Sequence, residues 1–126
     1  MRNAKAQWIK ENLKEGEEYS GLIVGKDGEP DYHVFLRPGE AEAVTWADAK
    51  AFAMKAGGDL PTRREQSLLF ANLQEHFKQS WYWSGEQHAA YSASAWCQGF
   101  SYGFQYYGGI DTKLRARRPQ INHLVL

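Results

Sequence analysis

His88 and Glu86 form the pairing in this sequence whose residue types suggest acid–base chemistry. An imidazole titrates near neutral pH, so a histidine beside a carboxylate could support proton transfer. Covalent catalysis would also need a nucleophile, but no serine, cysteine or second carboxylate is tied to His88 by its spacing. We therefore expect a protein without enzymatic activity and retain a small enzyme that uses His88 as an alternative.

Few residues in the chain are suited to metal or thiol chemistry. The histidines are His33, His76, His88 and His123. They are scattered and lack the spacing of a zinc site. Cys97 is the only cysteine, which excludes an intramolecular disulfide and fits a reducing compartment. Because it alternates with Trp96 in a predicted strand, we interpret Cys97 as a small buried apolar residue, and we predict no metal and no cofactor.

Charge is balanced overall but unevenly distributed along the chain. The formal net charge is zero, which argues against a general nucleic-acid-binding protein. The segment 15–48 contains nine acidic and two basic residues, whereas 112–126 contains four basic residues and no acidic one. The two segments are expected to be solvated or to face each other within the fold. The alternative is a site for an anion or an acidic partner at Arg115, Arg117 and Arg118.

A second basic pair, Arg63 and Arg64, lies at the start of a predicted helix. Basic residues at a helix start oppose the helix dipole, which suggests a functional role as anion ligands. The simpler interpretation is that both arginines are solvated and pair with Glu65 or with nearby acidic residues. The sequence favours this simpler interpretation but leaves the other open.

Hydrophobic spacing and turn residues divide the first two thirds of the chain into recognisable elements. A helix is predicted within residues 1–14 and a β-hairpin within 18–37, where an Asp-Gly pair and a proline mark the loop. Two helices are predicted within 45–77. Thr62 and Glu65 have the spacing of a capping box at the start of the second helix. Helices followed by a strand-rich remainder indicate an α+β fold.

The region 81–118 is predicted to form strands and loops. From residue 93 onward, large side chains at even positions alternate with small ones at odd positions, which is the period of a β-strand. Two glycines interrupt this alternation, so two or three short strands are expected. A last strand is expected at residues 114–117, with Pro119 at its end or on a sheet edge. Residues 121–126 are apolar enough to dock onto the fold.

The length of 126 residues is typical of one domain, here residues 1–126. Nothing in the chain approaches the roughly 20 apolar residues of a membrane span, and its first residues contain no apolar run of signal-peptide length. We therefore expect a cytoplasmic protein without membrane contact, even if it is later built into a particle.

Five short motifs occur in a defined order along the chain. They are Trp46 in an alanine-rich helix, Gly58-Asp59-Leu60-Pro61-Thr62-Arg63-Arg64-Glu65, Trp81-Tyr82-Trp83-Ser84, Ala95-Trp96 and Leu114-Arg115-Ala116-Arg117. Their order resembles a bacterial and phage domain family of unknown function that looks like a C-type-lectin-like fold. That family is similar to the C-terminal domain of a collagen-like bacterial adhesin, and more distantly to phage tropism determinants and formylglycine-generating enzymes. The resemblance covers residues 44–118, and the hairpin at 21–39 also resembles phage members; Gly85 and residues 118–120 depart from the pattern.

The resemblance implies two helices on a small mixed sheet, close chain termini, and a long irregular loop region after the strand at 81–84. In related folds that region faces the ligand, and here it spans residues 86–109. Sugar-binding C-type lectins hold calcium with clustered oxygen ligands, which this region lacks apart from Glu86-Gln87, while Glu29-Pro30-Asp31 lies in the N-terminal hairpin. Formylglycine-generating enzymes use two cysteines, whereas this chain has one.

The segment 81–109 is unusually rich in aromatic residues. It holds ten of the eighteen aromatic side chains, five glycines and four serines, and Glu86 is its only formally charged residue. Trp81, Trp83 and Trp96 are expected in the core, where large rings of small domains usually lie. Tyrosines interleaved with serine and glutamine are typical of a paratope-like contact surface. The predicted binding residues are Tyr91, Ser92, Ser101, Tyr102, Phe104, Gln105, Tyr106 and Tyr107.

These observations favour a non-enzymatic, phage- or prophage-derived binding module that recognises a macromolecule through the surface 86–109. The expected partner is a protein or another host surface macromolecule, and neither a nucleic acid nor a membrane. An intracellular effector that inhibits or adapts a host protein is the alternative, and association with virions would distinguish the two. The sequence leaves the ligand and the oligomeric state open.

Overall fold

The computed structural model describes residues 2–122, and the side chains of residues 4–119, as an α+β fold. The helices are α1 (Arg2–Asn12), α2 (Trp46–Met54) and α3 (Arg63–Leu73), followed by a 3-10 turn at Gln74–His76. The strands are β1 (Glu18–Ile23), β2 (Tyr32–Leu36), β3 (Ala41–Val44), β4 (Trp81–Gln87), β5 (Ser94–Gly99), β6 (Gln105–Gly109), β7 (Leu114–Ala116) and β8 (Pro119–Asn122). The predicted α+β class is therefore confirmed. None of the helices in the described part of the chain is long and apolar enough to cross a membrane.

The strands form a small sheet and a larger one within the described residues. β1 and β2 pair antiparallel as the predicted hairpin, and β8 pairs with the other side of β2, which gives the order β1-β2-β8. The larger sheet has the order β3-β7-β4-β5-β6 and is antiparallel except for the contact between β4 and β7. Both ends of the described chain therefore meet around the small sheet.

The last part of the chain differs from its prediction. β7 covers only Leu114–Ala116, and a further strand, β8, begins at Pro119 and pairs with the hairpin. Pro119 has no backbone N–H to donate, and it is tolerated because it opens a strand at the edge of its sheet. Of the docking segment predicted at 121–126, residues 121 and 122 pair with β2, and residues 123–126 lie outside the described residues.

Both central helices begin at capping threonines. Thr45 Oγ1 accepts the backbone N–H of Asp48 at the start of α2. The predicted capping box of α3 is confirmed, because Thr62 Oγ1 accepts from Glu65 N at 3.1 Å and Glu65 Oε1 accepts from Thr62 N at 3.0 Å. The Tyr32 hydroxyl donates to the other oxygen of Glu65 at 2.5 Å, so the cap also ties the hairpin to α3.

The large sheet is covered on both faces near its centre. On one face, α2 packs its Trp46 and two alanines against Trp83 and Cys97, which form one buried cluster. On the other face, Leu69 of α3 packs against Tyr82 and neighbouring apolar residues in a second buried cluster. Successive side chains of a strand point to opposite faces, which is why adjacent residues of β4 belong to different clusters.

The three tryptophans predicted in the core have different environments. Trp83 is fully buried, and its Nε1 donates to the Val44 carbonyl at 2.9 Å. Trp81 is 38% exposed, so its assignment to the core is wrong. Trp96 is half-buried and lies outside both buried clusters, which corrects the same prediction for this residue. Helix α2 covers Trp83 but does not reach Trp81, two residues earlier on the same face.

Separate replacements of Trp83 and Trp81 by phenylalanine measure how much the buried and the part-exposed ring each contribute to stability. Trp83→Phe leaves the half-buried Val44 carbonyl without its side-chain donor and opens a small cavity in the core, so we expect a loss of about 2–4 kcal/mol in unfolding free energy. Trp81→Phe is the matched control and should cost less than about 1 kcal/mol, because its ring is partly solvated. Urea denaturation followed by circular dichroism gives both values. Equal losses would contradict the assignment of the two rings.

The prediction that Cys97 is a small buried residue is confirmed. The side chain is 4% exposed, and burial raises the pKa of the thiol to about 11. Since an unfolded thiol ionises near its ordinary pKa of about 9, the unfolded chain loses this proton first as pH rises. The contribution of Cys97 to stability is therefore complete below about pH 9 and declines between pH 9 and 11.

Alkylation at pH 8 tests the protected state of this thiol. Iodoacetamide should modify Cys97 at least about tenfold more slowly in the native protein than in 8 M urea, because the thiolate is the reactive form. Mass spectrometry of timed samples gives both rates, and a free cysteine peptide in the same urea solution controls for solvent effects. Equal rates in the native and unfolded states would show that the thiol is accessible.

Candidate recognition surface

The first turn of α3 fixes the strands that carry the predicted binding residues. Arg63 N donates to Glu86 Oε2 at 2.6 Å, so a carboxylate from β4 lies at the positive end of the helix. From β6, Gln105 Nε2 donates to the Arg63 carbonyl at 2.7 Å and to Ser67 Oγ at 3.2 Å. Gln105 Oε1 in turn accepts from Arg63 Nε at 3.1 Å. Both strands are therefore attached to the same helical turn.

The candidate anion ligands Arg63 and Arg64 contact groups of the protein itself. The Arg63 guanidinium carbon lies 3.6 Å from the ring centre of Trp96, which is a cation–π contact. Arg64 Nη2 donates to the Val24 carbonyl at 2.7 Å. Glu86 already occupies the helix N-terminus, where an external anion would otherwise bind. In the structure, these arginines bind a ring and a carbonyl.

Four rings pack together beneath Arg63, and we call them the aromatic cluster: His88, Tyr91, Trp96 and Tyr107. The His88 ring stacks on Trp96 with centroids 4.9 Å apart and planes 18° apart. His88 also contacts Tyr91 at 4.8 Å and Tyr107 at 4.5 Å. Trp96 and Tyr107 are directly opposed in the register of β5 and β6, which places both rings on one face. The cluster therefore joins two strands and the loop between β4 and β5.

His88 organises this loop through its ring nitrogen. Nδ1 accepts the backbone N–H groups of Ala90 and Tyr91, both at 3.1 Å. The partner predicted for acid–base chemistry, Glu86, directs a carboxylate oxygen to Arg63 instead. His88 and Glu86 therefore have separate partners in the described structure, and the described contacts of His88 are backbone amides and aromatic rings.

Two substitutions at His88 separate its acceptor from its ring. Asparagine places Oδ1 close to the position of Nδ1, so His88→Asn should preserve the two amide bonds while removing the stacking on Trp96. His88→Phe keeps a ring but has no acceptor, so the Ala90 and Tyr91 amides should exchange with solvent at least about threefold faster than in the asparagine variant. Hydrogen exchange followed by NMR measures both amides. Equal exchange in the two variants would contradict a structural role for Nδ1.

A second group of rings is exposed near the outer strand of the large sheet, and we call it the exposed patch: Trp81, Tyr102, Phe104 and Tyr106. Their exposed fractions are 38%, 81%, 68% and 58%, respectively. Tyr102 and Phe104 contact each other with centroids 6.3 Å apart. Tyr106 stacks on Tyr107 at 4.7 Å, which connects the patch to the aromatic cluster.

Strand register places the backbone positions of Trp81 and Tyr106 on the face of the sheet that α2 covers. Trp81 is paired with Gly99, and Cys97, two residues before Gly99, is paired with Tyr106. Paired residues and residues two apart share a face, so Trp81 and Tyr106 lie on the side of buried Cys97. A Cβ atom at Gly99 would lie only 3.1–3.3 Å from the Trp81 ring, so this glycine lets the ring lie flat on the strand. An open cleft of about 390 Å³ lies beside the Trp81 ring. It is lined by Gln79, Ser80, Trp81, Gly99, Ser101, Tyr102 and Phe104.

Most of the predicted binding residues are exposed, and two are half-buried in contacts within the protein. Six of them are exposed: Tyr91, Ser92, Ser101, Tyr102, Phe104 and Tyr106. Tyr107 is half-buried in the aromatic cluster, and Gln105 is half-buried and bonded to α3. More than half of the long irregular loop implied for 86–109 is strand, since the end of β4 together with β5 and β6 occupies 13 of its 24 residues. Sequence reasoning did not identify Trp81 as an exposed residue of this surface. Gly99 could have indicated it, because a glycine leaves room for a large ring on the paired strand, but the pairing of β4 with β5 has to be known first.

The C-terminal arginines are held within the fold to different extents. Arg115 Nη1 contacts Glu40 Oε2 at 2.6 Å, so here the acidic and basic segments do face each other. The other Glu40 oxygen accepts from the buried Tyr82 hydroxyl at 2.7 Å, and burial together with this bond raises the pKa of Tyr82 to about 12.

Arg117 and Arg118 lie between the two sheets. Arg117 donates to the carbonyls of His76 at 2.7 Å and Arg37 at 3.0 Å. Arg118 lies over the Phe52 ring, with its guanidinium carbon 4.8 Å from the ring centre. Burial lowers the pKa of both arginines. Arg117 therefore donates to carbonyls of the protein itself. Of the three arginines predicted for an acidic-partner site, only Arg118 has no such hydrogen bond or ion pair among the described contacts.

Comparison with models of known protein families and with curated protein sequences gives no match to this chain. Among residues 2–122, no three His, Cys, Asp or Glu side chains are grouped so that they could hold a metal ion. The function is therefore argued from the exposed patch and from the contacts that position it.

Proposed function

We propose that this protein is a non-enzymatic binding module that recognises a macromolecular partner, most simply another protein, through the exposed patch. The observation that carries the proposal is the solvent exposure of four aromatic side chains, between 38% and 81%, three of which line one cleft while Tyr106 follows on the adjoining strand. Burying such rings against a partner removes large apolar areas from water, whereas leaving them solvated gains nothing for the fold.

The composition of the patch supports a protein partner. Tyrosine and tryptophan are enriched at protein interfaces because they offer large contact area at low cost in side-chain entropy. Exposed Ser92 and Ser101 add hydroxyl groups for hydrogen bonds near the rings. The cleft beside Trp81 is open and shallow, which suits a protruding side chain of a larger partner better than an enclosed small ligand.

Rigid support beneath the patch also favours recognition. Tyr106 stacks on Tyr107, which packs in the aromatic cluster, and Gln105 fastens β6 to α3. Contact residues that are held in place before binding lose less conformational entropy when the complex forms. These contacts support a role for Tyr106 as a contact residue that is held in place before binding.

The proposal includes a phage or prophage origin and a C-type-lectin-like fold. Both rest on the resemblance of the motifs at residues 44–118. The arrangement of two central helices on a mixed sheet, with the C-terminal strand beside the N-terminal hairpin, is compatible with that fold. In the proposed fold the recognition surface corresponds to residues 86–109, extended here by Trp81.

Alanine replacement of the three most exposed rings tests the recognition surface. The bait is the wild-type protein, its partner is captured from the native host and identified by mass spectrometry, and the affinity is then measured with the purified partner. Substituting Tyr102, Phe104 and Tyr106 together should weaken binding at least about 100-fold, since each buried aromatic anchor contributes about 1–2 kcal/mol or more.

A double variant with exposed apolar residues removed elsewhere is the matched control. Val24 and Met54 are 59% and 67% exposed, and neither belongs to the patch. Val24→Ala combined with Met54→Ala should leave the affinity within about threefold of the wild type. If the patch variant folds normally and still binds like the control, the recognition surface lies elsewhere and the proposal is wrong.

A further inference from the structure

The outer edge of β6 borders the exposed patch. β6 ends the order β3-β7-β4-β5-β6, so within the described residues it has a strand neighbour on one side only. An edge strand presents unpaired backbone N–H and C=O groups, which can pair with another extended chain. The two sheets have four such edges in the described part of the chain: β1, β8, β3 and β6.

Three of the four edges carry features that discourage strand pairing. β1 contains Glu18 and has a register shift before Gly21. β3 contains Glu42 and pairs irregularly with β7, and β8 begins with Pro119. Charges, bulges and prolines are the usual means by which proteins protect sheet edges.

β6 has none of these protective features. Its sequence, Gln-Tyr-Tyr-Gly-Gly, contains no charge and no proline, and its register with β5 is continuous from Ser94 to Gln98. An uncharged, regular edge is a template for strand addition. The Tyr106 and Tyr107 rings stack with centroids 4.7 Å apart although neighbouring strand residues point to opposite faces, so the two rings meet over this edge, and strand addition requires each ring to move to its own face.

Alternate residues of β6 turn their backbone groups toward β5. Gly99 N donates to the Phe104 carbonyl at 2.8 Å, and Ile110 N donates to the Ala93 carbonyl at 2.9 Å. In an antiparallel pair, hydrogen-bonded and non-hydrogen-bonded residues alternate, so the residues with this orientation are the even-numbered ones of β6. The odd-numbered residues direct their backbone groups outward.

The outward-directed residues are Gln105, Tyr107 and Gly109. The Gly109 carbonyl accepts from Thr112 N at 2.9 Å, and the remaining N–H and C=O groups of these residues face away from the sheet. Only an extended backbone offers donors and acceptors at the matching spacing. The unpaired backbone N–H and C=O groups of β6 therefore favour an extended peptide chain as the ligand.

We propose that the partner binds by adding an extended, uncharged segment of its own chain as a further strand along β6. This inference rests on the proposed function. Successive side chains of the added strand would point alternately to the two faces, toward Phe104 and Tyr106 of the exposed patch and toward Tyr107 of the aromatic cluster. Main-chain bonds supply the alignment, and the rings on both faces select uncharged side chains.

The occupant is a segment of another protein because the edge and the exposed patch form one continuous surface. Phe104 and Tyr106 lie beside the outward-directed backbone groups of β6, so a strand on this edge is contacted by the residues assigned to partner recognition. Pairing of β6 with a second copy of this chain is a distinct outcome, which the oligomeric state reveals.

Gly109 provides a matched pair of variants for the edge. Its φ is outside the positive region, and an added Cβ would have only an ordinary contact, with Thr112 Oγ1 at 3.6 Å. Gly109→Pro removes an outward N–H without touching the bonds to β5, whereas Gly109→Ala keeps that N–H. The two variants therefore differ in the feature that strand addition needs.

The probe is a random library of linear 12-residue peptides, displayed and selected on the full-length protein. Selected peptides should bind the wild type and Gly109→Ala within about threefold, and Gly109→Pro at least about tenfold more weakly, because a main-chain bond is lost. Each peptide is then synthesised with single backbone N-methyl groups along its length. Methylation at every second residue should weaken binding by about tenfold, and methylation between them should have little effect.

The contrary results are equally defined. Failure to select any peptide, or binding that is insensitive both to Gly109→Pro and to N-methylation with a two-residue period, would overturn strand addition. A wild-type dimer in sedimentation experiments that Gly109→Pro dissociates would assign the edge to a second copy and also reject the proposal. If Gly109→Pro does not fold, the N-methyl scan on the wild type decides alone.

The native partner separates this inference from the function on which it rests. If the alanine variant of Tyr102, Phe104 and Tyr106 loses the partner while Gly109→Pro retains it, recognition by the patch stands and strand addition is wrong. If both variants retain the partner, both proposals are wrong. Loss of binding in both variants, with binding retained by Gly109→Ala, is the result that we expect.

Discussion

The structure depends on a mismatch between the width of the large sheet and the helices available to cover it. A helix is about 10 Å across and covers about two strands that lie about 4.8 Å apart, whereas this sheet has five strands. α2 and α3 take the centre of opposite faces, which buries Trp83 on one side and Tyr82 on the other. The outer strand β6 is left partly uncovered, so its apolar side chains meet solvent instead of a helix. The same limit that defines the core therefore defines the candidate recognition surface.

The first turn of α3 connects these two parts of the molecule. Its capping box binds the hairpin through Tyr32, its free N–H receives Glu86 from β4, and its Arg63 carbonyl receives Gln105 from β6. Further along the helix, the buried Gln66 amide donates to the Tyr82 and Trp83 carbonyls of β4. Each bond is modest alone, but together they hold strands from both sheets in one geometry. β6 therefore remains ordered although only one strand pairs with it.

The candidate site illustrates what sequence patterns can and cannot locate. Tyr102, Phe104 and Tyr106 were identified from composition, because uncharged aromatic residues among glycines and serines are typical of contact surfaces. Trp81 is expected in the core because large rings of small domains usually lie there, but a local pattern gives no information on where a helix stops covering its face of the sheet. For His88, the sequence suggests acid–base chemistry because Glu86 is close to it in the chain. Its hydrogen bonds with two backbone amides depend on the conformation of the loop, which residue spacing does not predict.

The sequence by itself determined the class of the fold and most of the local elements, but it predicted neither β3 nor β8. The capping residues Thr45 and Thr62, the hairpin and the alternation after residue 93 all depend on neighbours close in the chain, so their signals are local. Only the tertiary structure decided strand order, the assignment of β8 to the hairpin, and which rings are covered. These properties arise from contacts between residues distant in sequence, such as Arg63 with Gln105, whose energies favour one arrangement only after the elements have packed.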